Sequence, residues 1–484
     1  MKKASKFEKV AARCWNLLNE GKPFTPIFSV GTMILFFLFL HKGTVQIDAF
    51  LISFLITLPL FVMYFIFDFP LFLRNYLWMP LILFLLLGGV APIPLWVLAL
   101  SLYFFFTVFF WGTIYYHLRI GTTLLNFTRF WKLVLKNSDS TSGNAQEQLP
   151  KFLLLLAVWH HQYVGFLAND LNISMILTLY VVIFLFSIVL HHYLFDWKPA
   201  IIPTYTDKDL EQEKALSDKV VIIVIDGMRK DRFDIADTPF LDKLRVEGTE
   251  YTQMETVYPA RTVVCFTSMF TGTYPFEHGI TSNMVWKLGI KVESIFDSLR
   301  KVNKKGKLLG IAHLVDSLGE EDVETVTAVM NNDVADRNII ERAKLLVEKE
   351  DPDLLVVQLI ATDQTGHSRG VLYSEYLEKI KEADRLVEEF IDFLKDKGKM
   401  ENTTLMICAD HGQADGIGGH GHLDEGERFV PFIIHGPSIN KGLTINKKHS
   451  LVSVAPTIAY LLGTPFPSHS RGPVLTEAIR KERI

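Results

Sequence analysis

A chain of 484 residues, 49% hydrophobic and with 37 Phe, is too long for one ordinary domain and too apolar to be dissolved throughout in water. Its formal net charge of -4 is close to neutral for this length and excludes a nucleic-acid polymer as the main partner. Cys14, Cys265 and Cys408 lie far apart with no C-x-x-C spacing, and read as buried thiols.

The composition changes near Pro199, which divides the chain into a membrane domain, 1–198, and an α/β domain, 199–484. Five apolar runs precede the boundary: Phe24 to Leu40, Ala49 to Phe67, Tyr76 to Ala91, Ile93 to Tyr116 and Ile173 to Tyr193. Most approach the roughly 20 residues that cross a bilayer. The first run lacks a small-residue cleavage site and is followed at once by others, so it reads as an anchor rather than a signal peptide.

Lys2, Lys3, Lys6, Lys9, Arg13 and Lys22 precede the first run, and Arg119, Arg129, Lys132, Lys136 and Lys151 follow the fourth. Both clusters belong in the cytoplasm by the positive-inside rule. Five spans then place the C-terminal domain outside the plasma membrane. Phe152 to Ala168, with His160 and His161 at its centre, is expected not to span but to lie at the interface or re-enter; the alternative, a short sixth span, would put the C-terminal domain in the cytoplasm. His160/His161 and His191/His192 read as interfacial histidines rather than metal ligands. Leu118 to Lys136 interleaves aromatic and basic residues, as an amphipathic surface helix or a soluble loop helix would, and Asn137 to Gln148 reads as a flexible loop.

Beyond the boundary, Val220 to Asp226, Lys307 to His313, Asp353 to Asp363 and Thr403 to Asp410 are unbroken apolar runs. They fit central strands of a mostly parallel sheet in a three-layer α/β/α fold. Asp333 to Glu350 and Ser374 to Lys397 have helical periodicity, and Leu451 to Leu462 is a more apolar helix. Three of the runs end on an acid, Asp226, Asp363 and Asp410, at the strand edge where open α/β sheets hold ligands. Three converging carboxylates repel unless cations lie among them.

Asp363 with His367, Asp410 with His411, and His420 add oxygen and imidazole donors suited to zinc or a similar ion. Thr262, in YPARTVVCF, stands where a loop enters a helix, so its hydroxyl can face a phosphorus held by backbone amides. On local sequence alone a plain helix N-cap is the stronger reading of that threonine.

The order of these motifs resembles the alkaline phosphatase superfamily, in particular its type I phosphodiesterase and nucleotide pyrophosphatase branch, over Lys219 to Gly463. The resemblance implies two divalent metal ions, zinc or manganese. One would take Asp363, His367 and His420, and the other Asp226, Thr262, Asp410 and His411. It implies that Thr262 is the nucleophile and that Asn283 donates to a phosphate oxygen. His422 is a rival to His420, whose H-G step and distance to Pro431 fit the family better. Arg261, Trp286, Glu425 and Glu427 are candidates for the pocket lining, with solvation the plainer role for the charged ones. Cys265 is followed by Phe-Thr-Ser-Met and lacks the C-x-P-x-R of sulfatases.

Three functions are weighed. The favoured one is a membrane-anchored phosphodiesterase-type hydrolase acting on a phosphate ester, with a lipid-linked ester among the candidates. The second is a phosphoethanolamine- or phosphoglycerol-type transferase, suggested by the multi-span architecture and by TDQTGH and GGHGHLDEGERFVP. The third, a non-catalytic membrane protein keeping an enzyme fold, is disfavoured because every expected ligand position is filled.

Overall fold

The computed structural model describes residues 21–67, 76–115, 123–126, 148–193, 199–211, 214–281, 283, 289–326, 334–415, 419–421 and 424–480. The chain forms two compact units, one containing Pro199–Ile484 and the other drawn from Phe7–Leu118 and Thr122–Lys198.

The N-terminal unit is helical: α1 (Gly21–Phe39), α2 (Ile47–Ile66), α3 (Trp78–Leu86), α4 (Ile93–Phe104, continued as a π-helical stretch over Phe105–Tyr115), α5 (Gln148–Leu167) and α6 (Ile173–Tyr193). Among the described residues three helices are long and apolar enough to cross a membrane, Ile47–Ile66, Ile93–Phe110 and Ile173–His192. Of the other expected spans, the first gives a shorter apolar helix, Thr25–Phe39. The third gives only the nine residues of α3, about 14 Å of helix.

The segment around His160, expected not to span, forms no re-entrant loop. It is the continuous 20-residue helix α5, and its buried residues include Gln148, Lys151, His160 and Gln162. The apolar helices α1 to α4 pack around it, so its polar groups are enclosed by protein. Trp159 Nε1 donates to Ser53 Oγ at 3.1 Å, the Trp159 ring packs on Phe50 and Phe54, and Thr25 Oγ1 donates to Gln148 Oε1 at 2.5 Å. The expected amphipathic helix at 118–136 and the loop at 137–148 fall largely outside the described residues, which there show only a short 3-10 turn, Leu124–Asn126.

The C-terminal unit is built on an eight-stranded sheet of order β10-β2-β9-β7-β1-β6-β4-β5, and β3 (Met254–Glu255), β8 (Phe429–Val430) and β11 (His449–Ser450) form a separate three-stranded sheet. Its centre is β7 (Thr403–Cys408), β1 (Lys219–Ile225), β6 (Leu354–Leu359) and β4 (Gly306–Ile311), all parallel. On the far side of β4 lies β5 (Val323–Val326). On the β7 side follow β9 (Phe432–His435), antiparallel to β7, then β2 (Thr249–Tyr251) and β10 (Leu443–Ile445). Every residue of β6 and β7 is buried, as is all of β1 but Lys219. Both faces are therefore covered, which is why these strands read as unbroken apolar runs rather than alternating ones.

Helices form the covers. In α10 (Ser374–Asp396) the buried Tyr376, Ile380, Ala383, Val387, Phe390, Ile391 and Leu394 recur at helical spacing. Helix α8 (Ala335–Glu350) packs against β6 and α10. Helix α11 (Val454–Leu462) packs against β1 and α7 (Thr262–Thr271).

One boundary differs in a way that matters for the site. The run expected to continue as a strand to Asp363 ends at Leu359, and Ala361–Arg369 is a helix, α9. Asp336 Oδ1 accepts from Ile360 N at 2.7 Å and Ala361 N at 3.0 Å, satisfying amides at the start of that helix. Burial pushes the Asp336 carboxyl up to about 6.

Candidate active site

Strands β7, β1 and β6 are neighbours, so the segments after them meet at one edge. Asp226 directly follows β1, Asp410 lies two residues past β7, and Asp363 sits in the first turn of α9. Gly227 makes the turn beside Asp226 with φ 67, and its N–H donates to Asp410 Oδ1 at 3.2 Å. A Cβ there would lie 2.8 Å from Asp363 Oδ1, so the position needs glycine for both conformation and space.

Four donor atoms converge around His411. Its Nε2 lies 3.3 Å from Asp410 Oδ2, 3.5 Å from Asp226 Oδ1 and 3.2 Å from Thr262 Oγ1. Its Nδ1 bonds Gly412 O at 2.9 Å, which keeps the proton on Nδ1 and turns the Nε2 lone pair toward the carboxylates. Asp226 Oδ1 and Asp410 Oδ2 are buried with no hydrogen-bond partner among the described residues. Burial, and then Asp410 and Asp363, push the Asp226 carboxyl well above the usual range. Burial likewise raises Asp410.

A second group adjoins the first. Asp363 and His367 are one turn apart on α9, with Asp363 Oδ1 3.3 Å from His367 Nε2 and 3.8 Å from His420 Nε2. His420 Nδ1 donates to Ala260 O at 2.8 Å, which aims Nε2 into the site. The His411 and His420 rings stack 3.8 Å apart, and burial, then His411 and His367, hold His420 well below its usual range.

By ligand-atom spacing the tightest groups are Asp226, Asp410, His411 and Asp363, His411, His420, each with all atoms within 4.8 Å. His411 thus lies between the groups, and His367 stands outside both although its Nε2 faces Asp363. Orphaned carboxylate oxygens beside imidazole lone pairs are a donor set that fits divalent cations.

Thr262 is the first residue of α7, and Arg261 holds the N-cap position without a side-chain cap bond. The plain N-cap reading of Thr262 does not describe the geometry, because its buried hydroxyl faces His411. Asn283 Oδ1 accepts from Val263 N at 2.9 Å, which commits the carbonyl and leaves the NH2 as the donor end. Glu425 is exposed, whereas Glu427 is buried. The Glu427 carboxylate accepts from Gly421 N at 2.9 Å, which braces the loop carrying His420 rather than lining a pocket. Trp286, His422 and Cys14 lie outside the described residues.

Cys265 and Cys408 are buried, and burial raises both thiols, so neither presents a thiolate. Gln358 and Gln413 escaped the sequence reading. Gln358 Nε2 donates to Asp226 Oδ2 at 2.6 Å, and Gln413 Nε2 to Asp363 Oδ1 at 2.5 Å. The signal for Gln358 was present, since it is the one polar residue of strand β6, LLVVQL.

The sequence profile of the type I phosphodiesterase / nucleotide pyrophosphatase family matches residues 220–332 and 319–456. The chain belongs to this family. Thr262, Asn283 and all the converging carboxylates and imidazoles lie within the span matched to the type I phosphodiesterases. Among individual relatives, mouse ectonucleotide pyrophosphatase/phosphodiesterase family member 1 is 29% identical over 200 residues, 37% of this chain and 22% of that protein. The catalytic subunit of human GPI ethanolamine phosphate transferase 3 is 28% identical over 153 residues, 31% of this chain and 13% of that protein. The match thus spans about a fifth or less of either relative's length. Among solved structures, murine ectonucleotide pyrophosphatase / phosphodiesterase 5 has 15% identity and a TM-score of 0.46, covering 52% of this chain and 96% of that one. The alkaline phosphatase PafA has 14% identity and a TM-score of 0.44, covering 55% and 99%.

Proposed function

We propose that the protein is a membrane-anchored, metal-dependent hydrolase of phosphate diesters with Thr262 as its nucleophile. The observation that carries this reading is the Thr262 hydroxyl 3.2 Å from His411 Nε2, on the side where Asp226 Oδ1 and Asp410 Oδ2 have no hydrogen-bond partner among the described residues.

Asp226, Asp410, His411 and Thr262 would hold one cation, and Asp363, His367 and His420 the other. When bound, zinc or manganese supplies positive charge that favours the Thr262 alkoxide and the leaving oxygen. The Thr262 hydroxyl proton passes to solvent as its oxygen attacks phosphorus; a phosphothreonyl group forms while the bond to the leaving oxygen breaks, and that oxygen takes a proton from solvent to depart as an alcohol. The Asn283 NH2 donates to a non-bridging phosphate oxygen and holds it beside the start of α7. Water then displaces Thr262 and restores the hydroxyl.

The substrate is a phosphate ester, with lipid-linked esters among those within reach of an enzyme held at a bilayer. The three long apolar helices support anchoring in a membrane, which in this reading is the plasma membrane, and the charge asymmetry of the first 151 residues favours the extracytoplasmic side for the catalytic unit. The similarity to a GPI ethanolamine phosphate transferase favours a second reading, in which an acceptor alcohol replaces water in the last step.

The test is turnover of a chromogenic phosphodiester by full-length protein in detergent and in phospholipid vesicles. Metal-dependent hydrolysis at similar rates in both supports the hydrolase. Slow hydrolysis with fast lipid-dependent transfer to an added alcohol reverses the order of the two readings. Unchanged turnover in protein shown by elemental analysis to be metal-free removes the metal mechanism.

A further inference from the structure

Two buried glutamines face the two ligand groups, one each. Gln358, on β6, accepts from Ile311 N through Oε1 at 2.9 Å and donates from Nε2 to Asp226 Oδ2 at 2.6 Å. Gln413, three residues past Asp410, donates from Nε2 to Asp363 Oδ1 at 2.5 Å and to Asp363 O at 3.1 Å. Neither amide can be reversed without setting its oxygen against an oxygen of Asp226 or Asp363, so the donor direction is fixed.

The surroundings are shaped to these side chains. A Cβ at Gly366 would lie 1.6 Å from Gln413 Oε1, one at Gly227 3.0 Å from Gln413 Nε2, and one at Gly310 2.8 Å from Gln358 Oε1. Three glycines from three segments therefore leave the room that the two amides fill. Arg229 Nη1 donates to Gln413 O at 3.0 Å and fixes the backbone from which that side chain reaches out.

An amide donor differs from a Lys or Arg at the same place because it orients a carboxylate without neutralising it. Asp226 spends Oδ2 on Gln358 and keeps Oδ1 toward His411. Asp363 is held with Oδ1 toward His367 and His420. Neither amide brings a positive charge against its carboxylate, and one oxygen of each acid has a set direction.

We propose that Gln358 and Gln413 are positioning residues that aim Asp226 and Asp363 at separate cations, one glutamine per ligand group. The proposal rests on the two-cation reading above and adds a division of labour that the reading does not require. Outer hydrogen-bond partners of this kind are worth ~10- to 100-fold in metal affinity.

The experiment uses the full-length protein in detergent, loaded with zinc and dialysed against graded chelator, with bound zinc counted by elemental analysis. Wild type is expected to hold two ions. Gln413→Leu and Gln358→Leu should each release one ion at ~10- to 100-fold lower chelator strength while retaining the other. Unfolding temperatures of the metal-free proteins should stay near wild type. If a Leu variant does not fold, Gln413→Met and Gln358→Met, which keep the side-chain length, carry the same measurement. Wild type with two ions and variants that hold both equally tightly would overturn the proposal alone, as would a single variant that loses both ions together. Wild type that binds no zinc would overturn the metal reading itself and this proposal with it.

Discussion

His411 Nε2 faces Asp410 Oδ2 at 3.3 Å, a buried oxygen with no hydrogen-bond partner among the described residues. Burial raises the carboxyls of both Asp410 and Asp226, with the neighbouring acids adding to the shift at Asp226. A carboxyl whose folded pKa is raised contributes stability that is fully present below its unfolded value, near 4, and lost as pH rises through the folded value.

The metal-free protein should therefore lose stability as pH rises through those raised values. Zinc needs the deprotonated acids, so its stabilising effect should grow over the same window. Thermal unfolding at pH 5 and pH 8, with and without zinc, checks this. The rise in Tm on adding zinc should be larger at pH 8, where free zinc at 1,000 times Kd is worth about 4 kcal/mol. An equal or smaller rise at pH 8 contradicts it.

Gly227→Ala places a methyl 2.8 Å from Asp363 Oδ1 at a φ of 67. The backbone strain alone is worth about 1–3 kcal/mol, and relief by moving Asp363 spoils its aim. The variant should unfold at lower temperature and hold zinc more weakly. Wild-type values of both would show that the turn has slack the structure does not suggest.

Much of this site was legible because chemistry and pattern coincide at the strand ends. Val220 to Ile225 is buried on both faces, so its apolar run announced a central strand and Asp226 announced its edge. The helix holding Asp363 and His367 was hidden, since LLVVQLIATD is apolar up to the acid and its turn depends on Asp336, a distant residue that accepts the amides of Ile360 and Ala361. Gln413 was hidden for the same reason, because its role appears only when the Asp410 loop and α9 come together. At His160 the polarity of the side chain hid its packing. Sequence shows a histidine in an apolar run, whereas only packing shows helix α5 enclosed by its neighbours.

Orientation is open to a direct check. The clusters of Lys and Arg before α1 and between α4 and α5 favour the cytoplasm, and α5 falls short of the apolarity of the three longest apolar helices. A reporter fused after Ile484 should be active outside the cytoplasm. Activity confined to the cytoplasm would mean that α5 crosses as well, and would move the catalytic unit to the inner side.

The most direct test of the account is the covalent state of Thr262. A hydroxyl ionises far above neutral pH in water and attacks at useful rates only when positive charge stabilises its alkoxide, and the donors around His411 would hold the cation that supplies that charge. Thr262→Ala should lower turnover by on the order of 10³-fold or more while the protein remains folded, and Thr262→Ser should keep part of the activity because the oxygen survives. The decisive measurement is acid quenching during turnover of a diester labelled in its phosphoryl group, followed by peptide mapping. The account predicts phosphate, with any retained substituent, on Thr262 and none in Thr262→Ala. Label trapped on another residue, or near-normal turnover by Thr262→Ala, would contradict it.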